Sequence, residues 1–91
     1  MQYLIEIDLR NADVGAFDEY EVAALRVFEE HGGAVLARVR DEESLREWHL
    51  LDLADAGVWD AFQNDPRRLE LGWLLARARV TATRHQVHTV G

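Results

Sequence analysis

The sequence predicts an α+β fold with its elements in the order β-α-β-β-α-β: a four-stranded antiparallel sheet with two helices on one face. Three observations carry this reading. Apolar and polar residues alternate with the period of a strand at Tyr3–Leu9, Ala34–Arg40, Leu45–Leu53 and Val80–Val90. Residues 16–31 and 55–79 change to the spacing of helices. Right-handed crossovers then leave both helices on the same side of the sheet. With 91 residues, one proline and no linker-like stretch, the whole chain 1–91 reads as a single domain.

In the first strand Tyr3, Ile5, Ile7 and Leu9 point one way and Leu4, Glu6 and Asp8 the other. Asn11 to Gly15 is a turn, with Asp13 placed to cap the helix that follows. That helix gathers Phe17, Tyr20, Ala24, Val27 and Phe28 on one stripe, and puts Asp18, Glu19, Glu21, Glu29 and Glu30 on its wet side. Gly32-Gly33 stops it. The second strand sets Val35, Ala37 and Val39 against Leu36, Arg38 and Arg40, and a short polar turn leads into a third that sets Trp48 and Leu50 against His49, Leu51 and Leu53. Asp55 caps a helix carrying Val58, Trp59 and Phe62. Asp65-Pro66 restarts it, with proline at the first helical position, and Leu69, Trp73, Leu74 and Leu75 continue to about Arg79. The last strand alternates Thr81, Thr83, His85, Val87 and Thr89 with Ala82, Arg84, Gln86 and His88.

One face of such a sheet has no helix over it. The alternation places Leu4, Leu36, Trp48 and Leu50 there, among Glu6, Asp8, Arg38 and Arg40. A domain of this size buries only roughly 60–65% of its unfolded surface, and a mixed apolar face of this kind is served by packing against a second copy across a two-fold axis. A homodimer is therefore expected, with Leu4, Glu6, Leu36, Arg38, Trp48 and Leu50 in its interface. Arg38 and Arg40 are expected to meet Glu6 or Asp8.

Composition narrows the function classes. Seventeen acidic residues against ten basic ones give a net charge of -7, which opposes binding to nucleic acid or to an anionic membrane. There is no cysteine, hence no disulfide, thiolate metal site or thiol nucleophile. No apolar run reaches the length of a membrane span, and Met1 leads into a strand rather than a signal peptide, so a cytoplasmic protein is expected. All ten basic residues are arginine, a usage that suggests a bacterial genome rich in GC.

Among residues suited to chemistry, His49 comes first. It shares a face with Leu51 and Leu53, the face turned to the helices, where an imidazole serves as general acid or base or binds a substrate. The competing reading is a strand-end histidine bonded to backbone. Glu47 lies two residues earlier on the same face. Tyr20 is placed to aim its hydroxyl at the same space or simply to pack, and Trp59 and Trp73, with Phe62, wall a ligand pocket or fill the core. His31, at the end of the first helix, complements the helix dipole. His85 and His88 point to opposite faces of a strand and cannot ligate one ion within a chain, so no metal site is assigned. No phosphate-binding glycine loop, nucleophile elbow or zinc motif is present, and no cofactor is assigned; a haem would need only one histidine, and nothing marks which.

Five segments give the chain a resemblance beyond its pattern: Phe28-Glu-Glu-His-Gly-Gly33, Ala37-Arg-Val-Arg40, Glu47-Trp-His-Leu-Leu-Asp-Leu53, Trp59-Asp-Ala-Phe62 and Asp65-Pro-Arg-Arg68. In these it resembles the dimeric α/β-barrel, or ferredoxin-like, superfamily, and within it a family of small bacterial proteins that brings no established activity. The resemblance implies a homodimer and a pocket between sheet and helices. Other members of the superfamily are cofactor-independent monooxygenases, haem-degrading enzymes and muconolactone isomerases, and a shared fold does not fix the chemistry.

The function expected from sequence is thus binding or transformation of a small molecule in a pocket between helices and sheet, with monooxygenase-like or isomerase-like chemistry by analogy. The alternatives are a regulatory module like the amino-acid-sensing ACT domains, whose ligand loop Asp13-Val-Gly15 faintly resembles, and an interaction dimer without a ligand. An RNA-recognition module shares the strand order, but Leu45–Leu53 lacks its aromatic and basic pattern.

Overall fold

Strand β1 (Gln2–Asp8) occupies an inner position of the sheet in the computed structural model, which describes residues 1–91. It pairs antiparallel with β3 (Arg46–Asp52) on one side and with β4 (Thr81–Val87) on the other, and β2 (Ala34–Arg40) completes the sheet beyond β3. The order β2-β3-β1-β4 is the ferredoxin-like arrangement, and the helices lie on one face. The first crossover is α1 (Val14–Glu30). The second consists of three short helices, α2 (Ala56–Asn64), α3 (Pro66–Glu70) and α4 (Gly72–Ala78).

Local chemistry sets these boundaries. Asp13 accepts the Ala16 N–H at 3.1 Å and starts α1. Gly32, with φ of 91°, follows its end in the left-handed region that a Cβ disfavours. Asp55 caps α2 through the Gly57 N–H, and Asp65 caps α3 through the Arg67 N–H ahead of Pro66. Asp65 also receives His31 at 2.8 Å and Arg67 at 3.0 Å, and Arg67 reaches on to Glu30, so one carboxylate fastens the end of α1 to the helix break. His31 is thus held by a carboxylate as well as placed at the helix end. The last strand ends at Val87, short of the expected Val90.

Between sheet and helices lies the apolar core. Tyr3, Ile5, Ile7, Leu51 and Leu53 from the sheet meet Phe17, Tyr20, Ala24, Val27 and Phe28 from α1, with Phe62, Leu74 and Ala78 from the later helices. Phe28 is fully buried and stands edge-on to Phe62, their centroids 5.5 Å apart. Gly33 backs directly onto the Phe28 ring, so that a Cβ there would overlap it.

The register departs from simple alternation in β2. Val35 pairs with Leu51, but Ala37 pairs with Leu50, with a bulge between them at Leu36. The extra residue reverses every side chain that follows. Arg38 falls opposite His49 and Arg40 opposite Glu47, on the helix-covered face, whereas Ala37 and Val39 take the uncovered one. The expectation that Arg38 and Arg40 line the uncovered face is corrected accordingly. Leu4, Glu6, Trp48 and Leu50 do lie there: Leu4 pairs with Leu50, and Glu6 with Trp48. Leu36 sits at the bulge and is half-exposed.

Candidate functional site

The same face that carries Ile5 and Leu51 also carries two ionisable residues of β3. Glu47 is 2% exposed and His49 3% exposed, both as deeply sunk as the neighbouring Leu51. Their burial follows from the period of two that buries Leu51 and Leu53. A third, Glu21, comes down from α1 and is 6% exposed. It was expected on the wet side of that helix. It sits next to Tyr20 and three residues before Ala24, at the edge of the apolar stripe, and its long stem carries the carboxyl inward between helix and sheet.

Buried charges require partners, and the bulge in β2 supplies them. Arg38 donates to Glu47 from Nε at 3.0 Å, and Arg40 donates to the other oxygen at 2.7 Å. Arg40 also holds Asp18 of α1 at 2.6 Å. The two arginines find carboxylates as expected, but these are Glu47 and Asp18; Asp8 bonds Arg10, and Glu6 lies 3.8 Å from Arg46. His49 Nε2 sits 2.5 Å from Glu47 Oε2, and its Nδ1 lies 3.7 Å from Glu21 Oε2. A continuous polar line therefore runs from Asp18 and the arginines through Glu47 and His49 to Glu21.

The groups of this line differ in acid strength. Burial pushes Glu21 up to about 7, against the pull of Arg38. Burial acts on Glu47 in the same sense, but the hydrogen bonds from His49, Arg38 and Arg40 outweigh it and hold that carboxyl below the usual range. His49 is pushed down by burial, with Glu47 opposing. Near neutral pH the line thus holds an ionised Glu47 and a Glu21 that exchanges its proton.

Two openings flank it. On the outer side an open groove is lined by Asp18, Val22, Arg38, Val39, Arg40 and Glu47. On the inner side a cavity of about 140 Å³ lies between α1, the sheet and the second crossover. Glu21 and His49 form its polar wall, and Tyr20, Trp59, Phe62 and Arg68 are among its other lining residues. Of the residues singled out in the sequence, His49, Tyr20 and Trp59 meet at this cavity, and Glu47 stands directly behind His49. Trp73 does not. It is 63% exposed on the outer side of α4, because Leu74 and Leu75 turn inward, so its expected place in the pocket wall is corrected. Sequence reasoning missed Glu21 and Arg68. The available clue to Glu21 was its adjacency to Tyr20 on the apolar stripe.

No protein-family model and no curated protein matches the chain, but solved structures do. SnoaB, a cofactor-independent oxygenase from Streptomyces nogalater, superposes with a TM-score of 0.73 at 11% identity, over 98% of this chain and 93% of that one. A protein from Agrobacterium tumefaciens gives a TM-score of 0.70 at 17% identity, over 94% and 92%. A dimeric ferredoxin-like protein of unknown function from a Jannaschia species gives 0.59 at 16% identity, over 96% and 100%. The likeness is one of fold. It covers nearly the full length of each neighbour, so the strand order and the one-sided helices are shared architecture.

Proposed function

We propose that the chain binds a small organic molecule in the cavity beside His49 and acts on it by proton transfer, as a homodimer. The observation that carries this is the placement of Glu21 and His49 together on the wall of a largely apolar cavity, with Glu47 fixed behind His49 by two arginines. An interior used only for packing gains nothing from three ionisable groups that each cost desolvation. A carboxyl poised near neutrality and facing a largely apolar cavity is suited to general base chemistry.

In this reading Glu21 accepts a proton from an acidic C–H or O–H of the ligand. The bond to hydrogen breaks, the new O–H forms on Glu21, and the electron pair stays on the ligand as an enolate or phenolate. His49 stands 3.7 Å from Glu21 to take that proton onward or return it, while Glu47 fixes the tilt of the imidazole. Such an anion is the common first intermediate of oxygenation without a cofactor and of double-bond isomerisation, the two chemistries that the fold suggests by analogy. The regulatory-module reading is weaker, because the Asp13 side chain is already engaged in capping α1.

The uncovered face supports the dimer. Leu4 and Leu50 pair across the strands there, flanked by Ala37, Val39 and Trp48, and a fold neighbour is described as dimeric. No helix of the protein is long and apolar enough to cross a membrane. Two measurements test the proposal. Crystals soaked in phenol are expected to show density beside His49, and an empty cavity at saturating phenol argues against a ligand site. Sedimentation is expected to give twice the 10.4 kDa protomer mass, falling to the protomer in Trp48→Arg, and a monomeric wild-type chain removes the dimer.

A further inference from the structure

The cavity holds a second kind of polar group, which the proton-transfer reading leaves unused. Arg68, on α3, lines the cavity, and its Nε is buried without a hydrogen-bond partner. It is the one buried side-chain nitrogen or oxygen in the protein left in that state. The other arginines set it apart. Arg10, Arg38, Arg40, Arg46, Arg67 and Arg77 each lie within ion-pair distance of a carboxylate, and Arg26, Arg79 and Arg84 stand exposed to water. Arg68 alone is withdrawn from water with no carboxylate beside it, in a chain that has seventeen acidic residues. Asp65, three residues before it, is held by Arg67 and His31, and Glu70, two residues after it, makes no ion pair with it.

We propose that Arg68 is the anion-recognition residue of the cavity, and that the ligand is an aromatic carboxylate of single-ring size. The inference rests on the cavity being the ligand site and adds the ligand's charge and shape. A partly buried guanidinium with an unsatisfied Nε and no carboxylate beside it is unfavourable in the empty protein, and a ligand carboxylate satisfies its charge and that N–H together. At about 140 Å³ the cavity matches the roughly 150 Å³ apolar cavity known to take up benzene. Trp59, Phe62 and Phe28 provide the aromatic wall, and the Arg68 guanidinium lies 6.0 Å from the Phe62 centroid. The charges that chiefly act on Glu21 are those of Arg38, Glu47, Asp18 and Arg40, so Arg68 is not its counterion. Tyr20 lines the same cavity; burial pushes its phenol up, and the nearby Arg68 opposes that by its charge and as a hydrogen-bond donor. The ligand is thus held by its carboxylate at Arg68 and offers the ring or a ring substituent to Glu21 and His49.

The test compares benzoate with benzyl alcohol, which keeps the ring and lacks the charge, by titration followed in amide NMR spectra. In the wild-type protein benzoate is expected to bind at least tenfold more tightly, with the largest shifts at cavity residues. Arg68→Met is expected to erase that preference while still binding benzyl alcohol, and Arg68→Lys to keep part of it. The melting temperature supplies a readout that a packing role would move the other way: Arg68→Met is expected to melt at or above the wild-type temperature, because it removes an unsatisfied cation. Equal affinity for the two ligands, or an unchanged benzoate preference in Arg68→Met, overturns the role of Arg68 and leaves the cavity as a site. Absence of binding by either ligand overturns both proposals.

Discussion

The layer between sheet and helices has two ends built on opposite principles. At one end Tyr3, Phe28, Trp59 and Phe62 meet in three edge-to-face pairs and one tilted pair, at centroid distances of 5.4 to 6.3 Å, and Gly33 is kept bare so that Phe28 can close against the backbone. At the other, Glu47, His49 and Glu21 are equally withdrawn from water, but Glu47 is held by directed bonds with Arg38, Arg40 and His49, and Glu21 lies 3.7 Å from His49. The aromatic end is stabilised by area and shape, which tolerate little loss of volume. The polar end is stabilised by matching each charge, which tolerates little loss of a partner. The cavity lies where the two meet, and the contrast suggests that the first end supports the fold and the second carries the chemistry.

Perturbing each end in turn sharpens that division. The largest effect is expected at the aromatic end: Phe28→Ala leaves a hole under Gly33 and Phe62 and should cost about 3–5 kcal/mol in urea unfolding. A loss below about 1 kcal/mol would mean that this end is loosely packed. Next, Glu47→Gln keeps the shape but removes the buried anion shared by Arg38, Arg40 and His49, leaving the two arginines only the half-exposed Asp18, and is expected to cost about 2–4 kcal/mol by the same measurement. It should also shift the His49 imidazole resonances in NMR. A smaller cost with unmoved resonances would show that solvent in the groove replaces the carboxylate.

The smallest effect has the opposite sign. Burial raises the pKa of Glu21 from 4.5 in the unfolded chain to about 7, so between those values the folded state holds more protons than the unfolded one. Its contribution to stability is complete below the lower value and is lost as pH rises to the upper one. Glu21→Gln should therefore match the wild type at low pH and exceed it at pH 8 by about 1–3 kcal/mol. His49, whose pKa burial lowers, contributes the reverse slope below about pH 6.5 in both proteins, so the difference between them isolates Glu21. Parallel stability curves for the two proteins would remove Glu21 as a titrating group of the cavity.

Most of the architecture is legible in the sequence because its elements keep one period each. Tyr3, Ile5 and Ile7 alternate without interruption, the stripe Phe17-Tyr20-Ala24-Val27-Phe28 is continuous, and Gly32 and Asp65-Pro66 punctuate the chain where it turns. The inward aim of His49 and Glu47 follows from that same alternation. What the sequence conceals is the bulge: Val35 through Arg40 reads as one strand, with Leu36 the apolar residue on the arginine side, and the bonds of Glu47 to Arg38 and Arg40 that accompany the skipped residue appear only once the strands are paired. Glu21 was concealed for a related reason. Its residue type belongs on a wet surface, and only the assembled network makes its burial tolerable. Trp73 errs the other way, as a large aromatic on a short helix whose inward positions are already filled by Leu74 and Leu75.

The kink at Leu36 has a bearing on how such a protein can change over time. Replacing that half-exposed leucine alters one side chain, and deleting it would give an even ladder that still sets Arg38 opposite His49 and Arg40 opposite Glu47, whereas drawing it into the ladder would turn both guanidinium groups outward and strand the Glu47 carboxylate in the interior. What is constrained along this strand is therefore the pairing of the two arginines with β3, and related chains should tolerate another residue at that point, or its loss, so long as that pairing is kept.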